Sequence, residues 1–194
     1  GGSLQLTGGV SYDALDEARK GYLNFSGAQL GVQGELRRDE TNRVYDLDEY
    51  LQAQWDSGQR WLAVLGARNS LVDVSSHGHL GATGSGDQGA VRYSAFTPVA
   101  GLTLRVAPRV SAYAAYGKGF ETPTLSELAY RSTDGSLPGL NLGLQPARSD
   151  NYELGAKFTG PQLQATLAGF YIDTHDELAV QSSSGGRTVY QNIV

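Results

Sequence analysis

Apolar and polar residues alternate along most of this chain, in stretches of strand length. The clearest stretch is 151–158, where an apolar set faces a polar set: Tyr152, Leu154, Ala156 and Phe158 opposite Asn151, Glu153, Gly155 and Lys157. A period of two indicates a β-strand whose two faces meet different surroundings. The pattern predicts about nine strands, at 3–12, 21–37, 43–55, 60–75, 90–106, 110–119, 151–158 and 162–181, with a partial strand after Arg187.

A few residues depart from the alternation. Glu49 is the one exception on the face that carries Tyr45, Leu47, Leu51, Ala53 and Trp55, and Leu62 and Val64 fall on the polar face of the next strand. Pro98 lies inside the strand at 90–106. Because proline has no N–H to donate, a bulge or a break is expected there.

The predicted connections are of two kinds. Short turns fall at 56–59, 107–109 and 159–162, and longer loops at 38–42, 76–89, 120–148 and 182–187. If each kind lies at one end of the sheet, the chain has the loop asymmetry of a transmembrane β-barrel. We therefore predict an all-β fold, an antiparallel up-and-down segment of such a barrel. A soluble sandwich or jelly roll, which need not sort its loops in this way, remains the alternative.

Composition is consistent with a cell-envelope β-protein. The 194 residues include 26 Gly and 11 Tyr but no Cys, and the net charge is -5. Clustered Lys and Arg would be needed for a nucleic-acid partner, so that class is disfavoured. No run of apolar residues reaches the length of a transmembrane helix, whereas a membrane-spanning β-strand needs only about 10 residues.

Two sequence motifs flank the longest loop. The first reads Gly-Phe-x-x-Pro-Thr, at Gly119, Phe120, Pro123 and Thr124. The second reads Asn-Tyr-Glu-x-Gly, at Asn151, Tyr152, Glu153 and Gly155. Together with Tyr171-Ile172-Asp173 further on, they resemble the C-terminal barrel of TonB-dependent outer-membrane receptors of the ferric-siderophore type. The match covers about 60–194 and is strongest over the last part of the chain.

The resemblance implies a role in transport rather than catalysis. Residues 1–194 would be part of a barrel of about 22 strands, without its plug domain and terminal strands. Such a receptor lies in the bacterial outer membrane, contacts outer-membrane lipid, captures a ferric siderophore or a similar small ligand, and is driven by TonB through the plug. The chain has no initiator Met and stops inside a predicted strand, so we expect a fragment that self-associates through open sheet edges.

Candidate ligand-binding residues are Tyr130 and Arg131, in the longest loop. An aromatic ring and a guanidinium suit an anionic ferric chelate. His77 and His79 could bind a metal, but only Asp73 or Asp87 is near as a third ligand, so exposed loop histidines are expected. Haem receptors of the family that the chain resembles commonly carry a histidine in the loop between the two motifs. Residues 120–148 contain none, so the resemblance disfavours haem.

The remaining titratable residues suggest no enzyme. Asp13, Asp16 and Glu17 are expected in a solvated turn, Asp46 and Asp48 on the polar face of a strand, and His175 at a strand end. We therefore predict no catalytic residues, no metal site and no cofactor. Two other functions stay open: a passive barrel, such as a porin or an autotransporter translocator, and a soluble β-domain that binds glycan or protein.

Overall fold

The chain folds into long β-strands in the computed structural model, which describes residues 1–80, 88–131, 139–184 and 187–194. The strands are β1 Ser3–Tyr22, β2 Phe25–Ser26, β3 Gln29–Leu30, β4 Leu36–Asp56, β5 Trp61–Gly78, β6 Gly89–Ala107, β7 Val110–Glu121, β8 Ala147–Thr159, β9 Gln164–His175, β10 Glu177–Ser184 and β11 Arg187–Ile193. Seven of them form one antiparallel sheet in the order β1-β4-β5-β6-β7-β8-β9. The predicted all-β, up-and-down arrangement is confirmed. Among the described residues, no helix is long and apolar enough to cross a membrane.

The first two strands of the sheet are longer than predicted. Residues 13–20 lie within β1 and residues 38–42 within β4, so the turns expected at both places were wrong. The single strand predicted at 21–37 was also wrong. Residues 23–35 are the connection between β1 and β4 and contain the small β2–β3 hairpin. Charged residues persist in the strands because they pair across them, as Asp16 does with Arg43 at 2.7 Å and Lys20 with Asp39 at 3.5 Å.

Connections of similar length lie at the same end of the sheet. Short turns at 57–60, 108–109 and 160–163 join β4 to β5, β6 to β7 and β8 to β9. The longer connections at 23–35, 79–88 and 122–146 lie at the opposite end. We call these the tight-turn end and the long-loop end. The predicted asymmetry is confirmed for these connections, with 23–35 in the place of the loop expected at 38–42. The loop expected at 182–187 was wrong, because β10 extends to Ser184 and β11 begins at Arg187.

The strand predicted at 162–181 is divided in two. Asp176 has a positive φ of 58° and separates β9 from β10. β10 then pairs only with β11, as a separate hairpin at the long-loop end. This hairpin is fixed to the loop before β8, because Asn192 donates to the carbonyl oxygens of Gln145 and Asp176 at 2.8 and 2.7 Å.

One face of the sheet, the outer face, is apolar and uncovered. A single cross-strand row contains Leu4, Trp55, Ala63, Leu102, Ala114 and Leu154. Large side chains on this face are far more exposed than in a soluble core: Leu65 is 64% exposed and Leu154 is 67% exposed. Glu49 also lies on this face, as its position in the sequence predicted.

Aromatic side chains border the apolar part of the outer face at both ends. Trp55, Trp61 and Phe158 lie toward the tight-turn end, and Tyr12, Tyr45, Phe96, Tyr116, Tyr152 and Tyr171 toward the long-loop end. Neighbouring tyrosines pack together, with ring centroids 5.1 Å apart for Tyr116 and Tyr152 and 6.3 Å apart for Tyr152 and Tyr171. An apolar band with two aromatic borders is the surface of a membrane-spanning barrel.

A row of charged pairs follows the second aromatic border. Arg43 in this row lies twelve residues from Trp55 on β4, whereas Asp150 lies only four residues from Leu154 on β8. Trp55 and Leu154 occupy the same cross-strand row. From β4 to β8, the position of the charged row along the strand therefore shifts toward the tight-turn end. This shift is expected if the strands are tilted and the charged row follows the flat surface of a membrane.

The opposite face, the inner face, is mainly polar. Asp48 is only 3% exposed and accepts hydrogen bonds from Arg68 and Ser70. Leu62 and Val64 also lie on this face, half-buried, so the face is not uniformly polar. β6 continues through Pro98, but its pairing with β7 ends at Val99, the residue after Pro98. The expected interruption at the proline is thus the end of one ladder, not a break in the strand.

Candidate ligand-binding surface

The connection between β7 and β8 folds back onto the inner face. Leu128 and Leu144 are 1% and 3% exposed and pack into one cluster with Val72, Val74 and Tyr93 of the sheet. Tyr93 also donates its hydroxyl hydrogen to the carbonyl oxygen of Leu144 at 3.2 Å. Burial raises the pKa of Tyr93 to about 12, so its hydroxyl stays protonated. We call the described parts of this connection, 122–131 and 139–146, the inward loop.

The first motif builds the start of the inward loop. Phe120 packs against the buried cluster, and Pro123 is buried beside it. Glu127 accepts hydrogen bonds from the backbone N–H and the hydroxyl of Thr124, at 2.7 and 2.8 Å. This turn brings Leu128 onto the inner face, so these motif residues shape the loop.

The second motif joins β8 to β7. Asn151 donates to the carbonyl oxygen of Gly117 at 3.1 Å, and Tyr113 donates its hydroxyl hydrogen to Glu153. The Tyr113 ring lies over Gly155, where an added Cβ would approach the ring within 2.6 Å. Gly119 is similarly constrained, because a Cβ there would overlap the Ser149 hydroxyl. Both motifs therefore have a visible structural role where β7 pairs with β8.

Tyr130, one of the two candidate binding residues, lies between two guanidinium groups. Arg38 of β4 lies 4.5 Å from the centre of its ring and Arg187 of β11 lies 5.7 Å from it. Arg38 also donates to the carbonyl oxygen of Ala129 at 3.1 Å. We call Arg38, Tyr130 and Arg187 the arginine–tyrosine cluster. It brings together three separate regions of the chain at the long-loop end.

Arg131, the other candidate, is exposed beside this cluster. Its backbone N–H donates to the carbonyl oxygen of Gly139 at 2.8 Å, which closes the base of the loop tip. Arg38 and Arg187 were not predicted as site residues, because the sequence pattern places Arg38 in a turn and Arg187 at the start of a strand. The alternation of Arg38, Glu40 and Asn42 could have indicated a strand face with polar surroundings.

Acidic and polar residues support Arg38 from below. Glu40 is 2% exposed and accepts from Arg38 at 3.2 Å and from Asn42 at 3.1 Å. Arg19 of β1 lies 3.6 Å from the same carboxylate. Asn42 also donates to Glu17 at 2.9 Å. The Arg38 side chain is thus fixed in place beneath Tyr130, although it lies far from Tyr130 in sequence.

A cavity of about 290 Å³ lies on the inner face next to the inward loop. Its lining carries both signs of charge: Asp46, Asp48, Arg68, Ser70, Val72, Thr97, Lys118, Phe120 and Thr122.

The histidines considered as metal ligands lie elsewhere. His77 and His79 are exposed on β5 and just beyond it, with ring centroids 5.2 Å apart, and His79 is 2.9 Å from the Thr41 hydroxyl. Asp87 lies outside the described residues. His175 lies 3.6 Å from Asp173. In the part of the chain that the structure describes, no three His, Cys, Asp or Glu side chains are grouped to hold a metal ion.

Three solved structures that share this fold are a copper transporter, a ferric citrate transporter and a ferric yersiniabactin uptake receptor, all much longer than this chain. The copper transporter OprC matches with a TM-score of 0.75 and 17% identity, over 98% of this chain and 30% of that one. The ferric citrate transporter FecA matches with a TM-score of 0.70 and 16% identity, over 97% of this chain and 27% of that one. The ferric yersiniabactin uptake receptor FyuA from Yersinia pestis matches with a TM-score of 0.65 and 17% identity, over 90% of this chain and 26% of that one. This chain thus spans less than a third of each of these proteins.

A family model agrees with these structural matches over nearly the whole chain. The model for the TonB dependent receptor-like β-barrel matches residues 1–193. The tilted antiparallel sheet and the apolar band with two aromatic borders agree with a β-barrel of this kind. The chain therefore belongs to the TonB-dependent receptor β-barrel family.

Proposed function

We propose that this chain is one part of the barrel of an outer-membrane receptor that takes up a metal chelate, most specifically an anionic ferric siderophore. Residues 1–194 would be a section of the barrel wall, with the outer face against lipid and the inner face against the lumen. The plug domain, through which TonB acts, and the terminal strands would belong to the rest of the protein. The long-loop end would then face the cell exterior.

The arginine–tyrosine cluster is the observation that supports this ligand class most directly. Guanidinium groups donate paired hydrogen bonds to carboxylates and similar oxygen donors, and an aromatic ring packs against a chelate. Arg187 and Arg131 are exposed, and Arg38 is held by Glu40 next to them. Tyr130 and Arg131 would contact the ligand together with Arg187, while Arg38 holds the Tyr130 ring. OprC and FecA, by their names, carry copper and ferric citrate, which fits a metal-containing ligand.

The exposed outer face argues for the membrane and against a soluble binding domain. Leu4, Leu6 and Val10 of β1 are 64%, 66% and 69% exposed. Apolar surface on this scale is unusual for a soluble monomer and is expected where lipid covers it.

A binding experiment on whole cells tests the proposal. The full-length receptor would be expressed without TonB, so that binding is measured without transport, and titrated with ferric citrate, a ferric catecholate and a neutral ferric hydroxamate. We expect Arg187→Ala and Tyr130→Ala each to weaken binding of an anionic chelate by roughly tenfold to a hundredfold. Arg43→Ala, an exposed arginine on the outer face, is the matched control and should leave affinity unchanged.

Two results would contradict the proposal. If no chelate binds to cells carrying the receptor, uptake of a ferric siderophore is wrong, and free diffusion of small solutes would instead indicate a passive barrel. If an anionic chelate binds but neither Arg187→Ala nor Tyr130→Ala alters its affinity, the receptor assignment survives and the arginine–tyrosine cluster is not its binding surface.

A further inference from the structure

Two polar side chains interrupt the apolar band of the outer face. Glu49 of β4 and Asn69 of β5 are direct cross-strand partners, and both are exposed. Neither makes a side-chain hydrogen bond or an ion pair with any residue in the described ranges. The other outer-face polar residues of the long strands are concentrated beyond the aromatic border, where charged groups pair with each other.

Glu49 lies well inside the apolar band. It is six residues from Trp55 at one border and four residues from Tyr45 at the other. With about 3.4 Å per residue and a strand tilt of about 40°, these separations are roughly 15 and 10 Å across the membrane. Their sum matches the apolar height of about 25 Å expected for such barrels. Neither lipid headgroups nor water can therefore solvate this carboxylate.

The same barrel cannot supply a partner for this pair. Val10 of β1 and Phe96 of β6 flank it in the same cross-strand row, and Leu47 and Leu51 lie above and below Glu49 on its own strand. Further strands of the barrel join only at the edges of the sheet and cannot cover this face. A polar group in hydrocarbon without a partner is costly, and such groups mark contacts within the membrane.

We propose that Glu49 and Asn69 form the centre of an interface with a second copy of this chain. Around a two-fold axis normal to the membrane, Glu49 of each copy meets Asn69 of the other, because both lie at nearly the same depth. The pairing is self-complementary, since the carboxamide N–H groups donate and the carboxyl oxygens accept. In the neighbouring cross-strand row, Gly8, Ala67 and Pro98 are compact residues on either side of Leu51, which is 64% exposed, so the Leu51 side chain of one copy can pack against the compact positions of the other.

Cysteine cross-linking in the native outer membrane tests this interface, because the chain contains no Cys of its own. Ala67→Cys places a thiol two residues from Asn69 on the same face. Leu154→Cys is the matched control on the outer face of β8. In the full-length receptor, oxidation should yield a covalent dimer from Ala67→Cys and little from Leu154→Cys. Adding Glu49→Leu to Ala67→Cys should lower the dimer yield by roughly tenfold, because the double variant loses the two polar contacts across the interface.

A conservative variant separates the interface from folding. Glu49→Gln keeps the hydrogen-bonding groups and should retain most of the cross-linking, while the shift of the folded barrel on unheated gels reports folding for every variant. Equal cross-linking from Ala67→Cys and Leu154→Cys would overturn the proposal. It would also be overturned if a folded Glu49→Leu receptor cross-links as well as the parent, or if Ala67→Cys cross-links only to a different protein.

Discussion

Truncation of Leu128 should release the inward loop without unfolding the barrel. Leu128 is 1% exposed and packs with Val72, Val74 and Tyr93, so Leu128→Ala removes a fully buried side chain. Such truncations cost about 2–5 kcal/mol in protein cores. The lost packing lies between the loop and the sheet, so the cost falls on loop docking. At about 1.4 kcal/mol per factor of ten, opening of the loop should increase by roughly thirtyfold to a few thousandfold.

Hydrogen exchange at two amides measures this opening in the full-length receptor. The Leu128 N–H donates to the Thr124 carbonyl at 3.0 Å, and the Asn141 N–H donates to the Leu128 carbonyl at 2.8 Å. Both should exchange faster in Leu128→Ala, while amides in the ladder between β7 and β8 keep their protection. Leu65→Ala, at a site 64% exposed on the outer face, is the control and should leave both amides unchanged. Unchanged exchange at these amides in Leu128→Ala would refute the packing argument.

Three further outcomes follow from individual contacts. In urea unfolding, Gly155→Ala should lower the free energy of unfolding by about 1–3 kcal/mol, because the new methyl group meets the Tyr113 ring. Gly169→Ala is the control and should change this free energy little, because no atom lies within 4 Å of the added Cβ. Tyr93→Phe should lower the free energy of docking the inward loop by about 0.5–1.5 kcal/mol, as measured by hydrogen exchange. The pKa of Tyr93 is raised from 10.0 to about 12, so the stabilisation from its hydroxyl is complete below pH 10 and is lost as the pH rises toward 12. The variant should lack this pH-dependent loss. The hydrogen bond from Arg105 is the main cause that lowers the pKa of Asp56 from 3.8 to about 2. This bond should therefore stabilise the tight-turn end above pH 3.8 and be lost as the pH falls from 3.8 to 2. Asp56→Asn should remove that acid transition from a pH titration of unfolding.

The sequence predicted the fold best where lipid and lumen impose different demands on the two faces. The stretch 151–158 alternates strictly and 43–55 does so with few exceptions such as Glu49, and both lie within strands of the structure. The prediction failed at 13–20 and 38–42, where the strands continue beyond the apolar band. Charged residues occupy both faces there, in cross-strand ion pairs on the outer face and in the buried network of Arg38, Glu40 and Asn42 on the inner face, so the apolar–polar alternation disappears. Long-range ion pairs such as that of Asp16 with Arg43 then maintain the strand pairing, and no local pattern reveals them.

The candidate site was predictable only in part. Tyr130 and Arg131 were selected because an aromatic residue and an arginine are adjacent in the longest loop. Their surroundings depend on tertiary structure, because Arg38 and Arg187 come from strands at opposite ends of the chain. The composition of the sequence and the spacing of its residues carry no information on which distant residues come together in space. The motif residues around Gly119 and Asn151 were recognisable by resemblance, and their structural reason became visible only with the β7–β8 register.

A nitroxide scan along β8 tests the central claim that the outer face meets lipid and the inner face meets a polar lumen. Each residue from 151 to 158 would carry one label in the full-length receptor, reconstituted in a bilayer, and its collisions with oxygen and with a water-soluble nickel chelate would be measured. The account predicts a period of two, with labels at Tyr152, Leu154 and Ala156 favouring oxygen and those at Asn151, Glu153 and Gly155 favouring the nickel chelate. Equal access of the nickel chelate to Leu154 and Glu153 would contradict it.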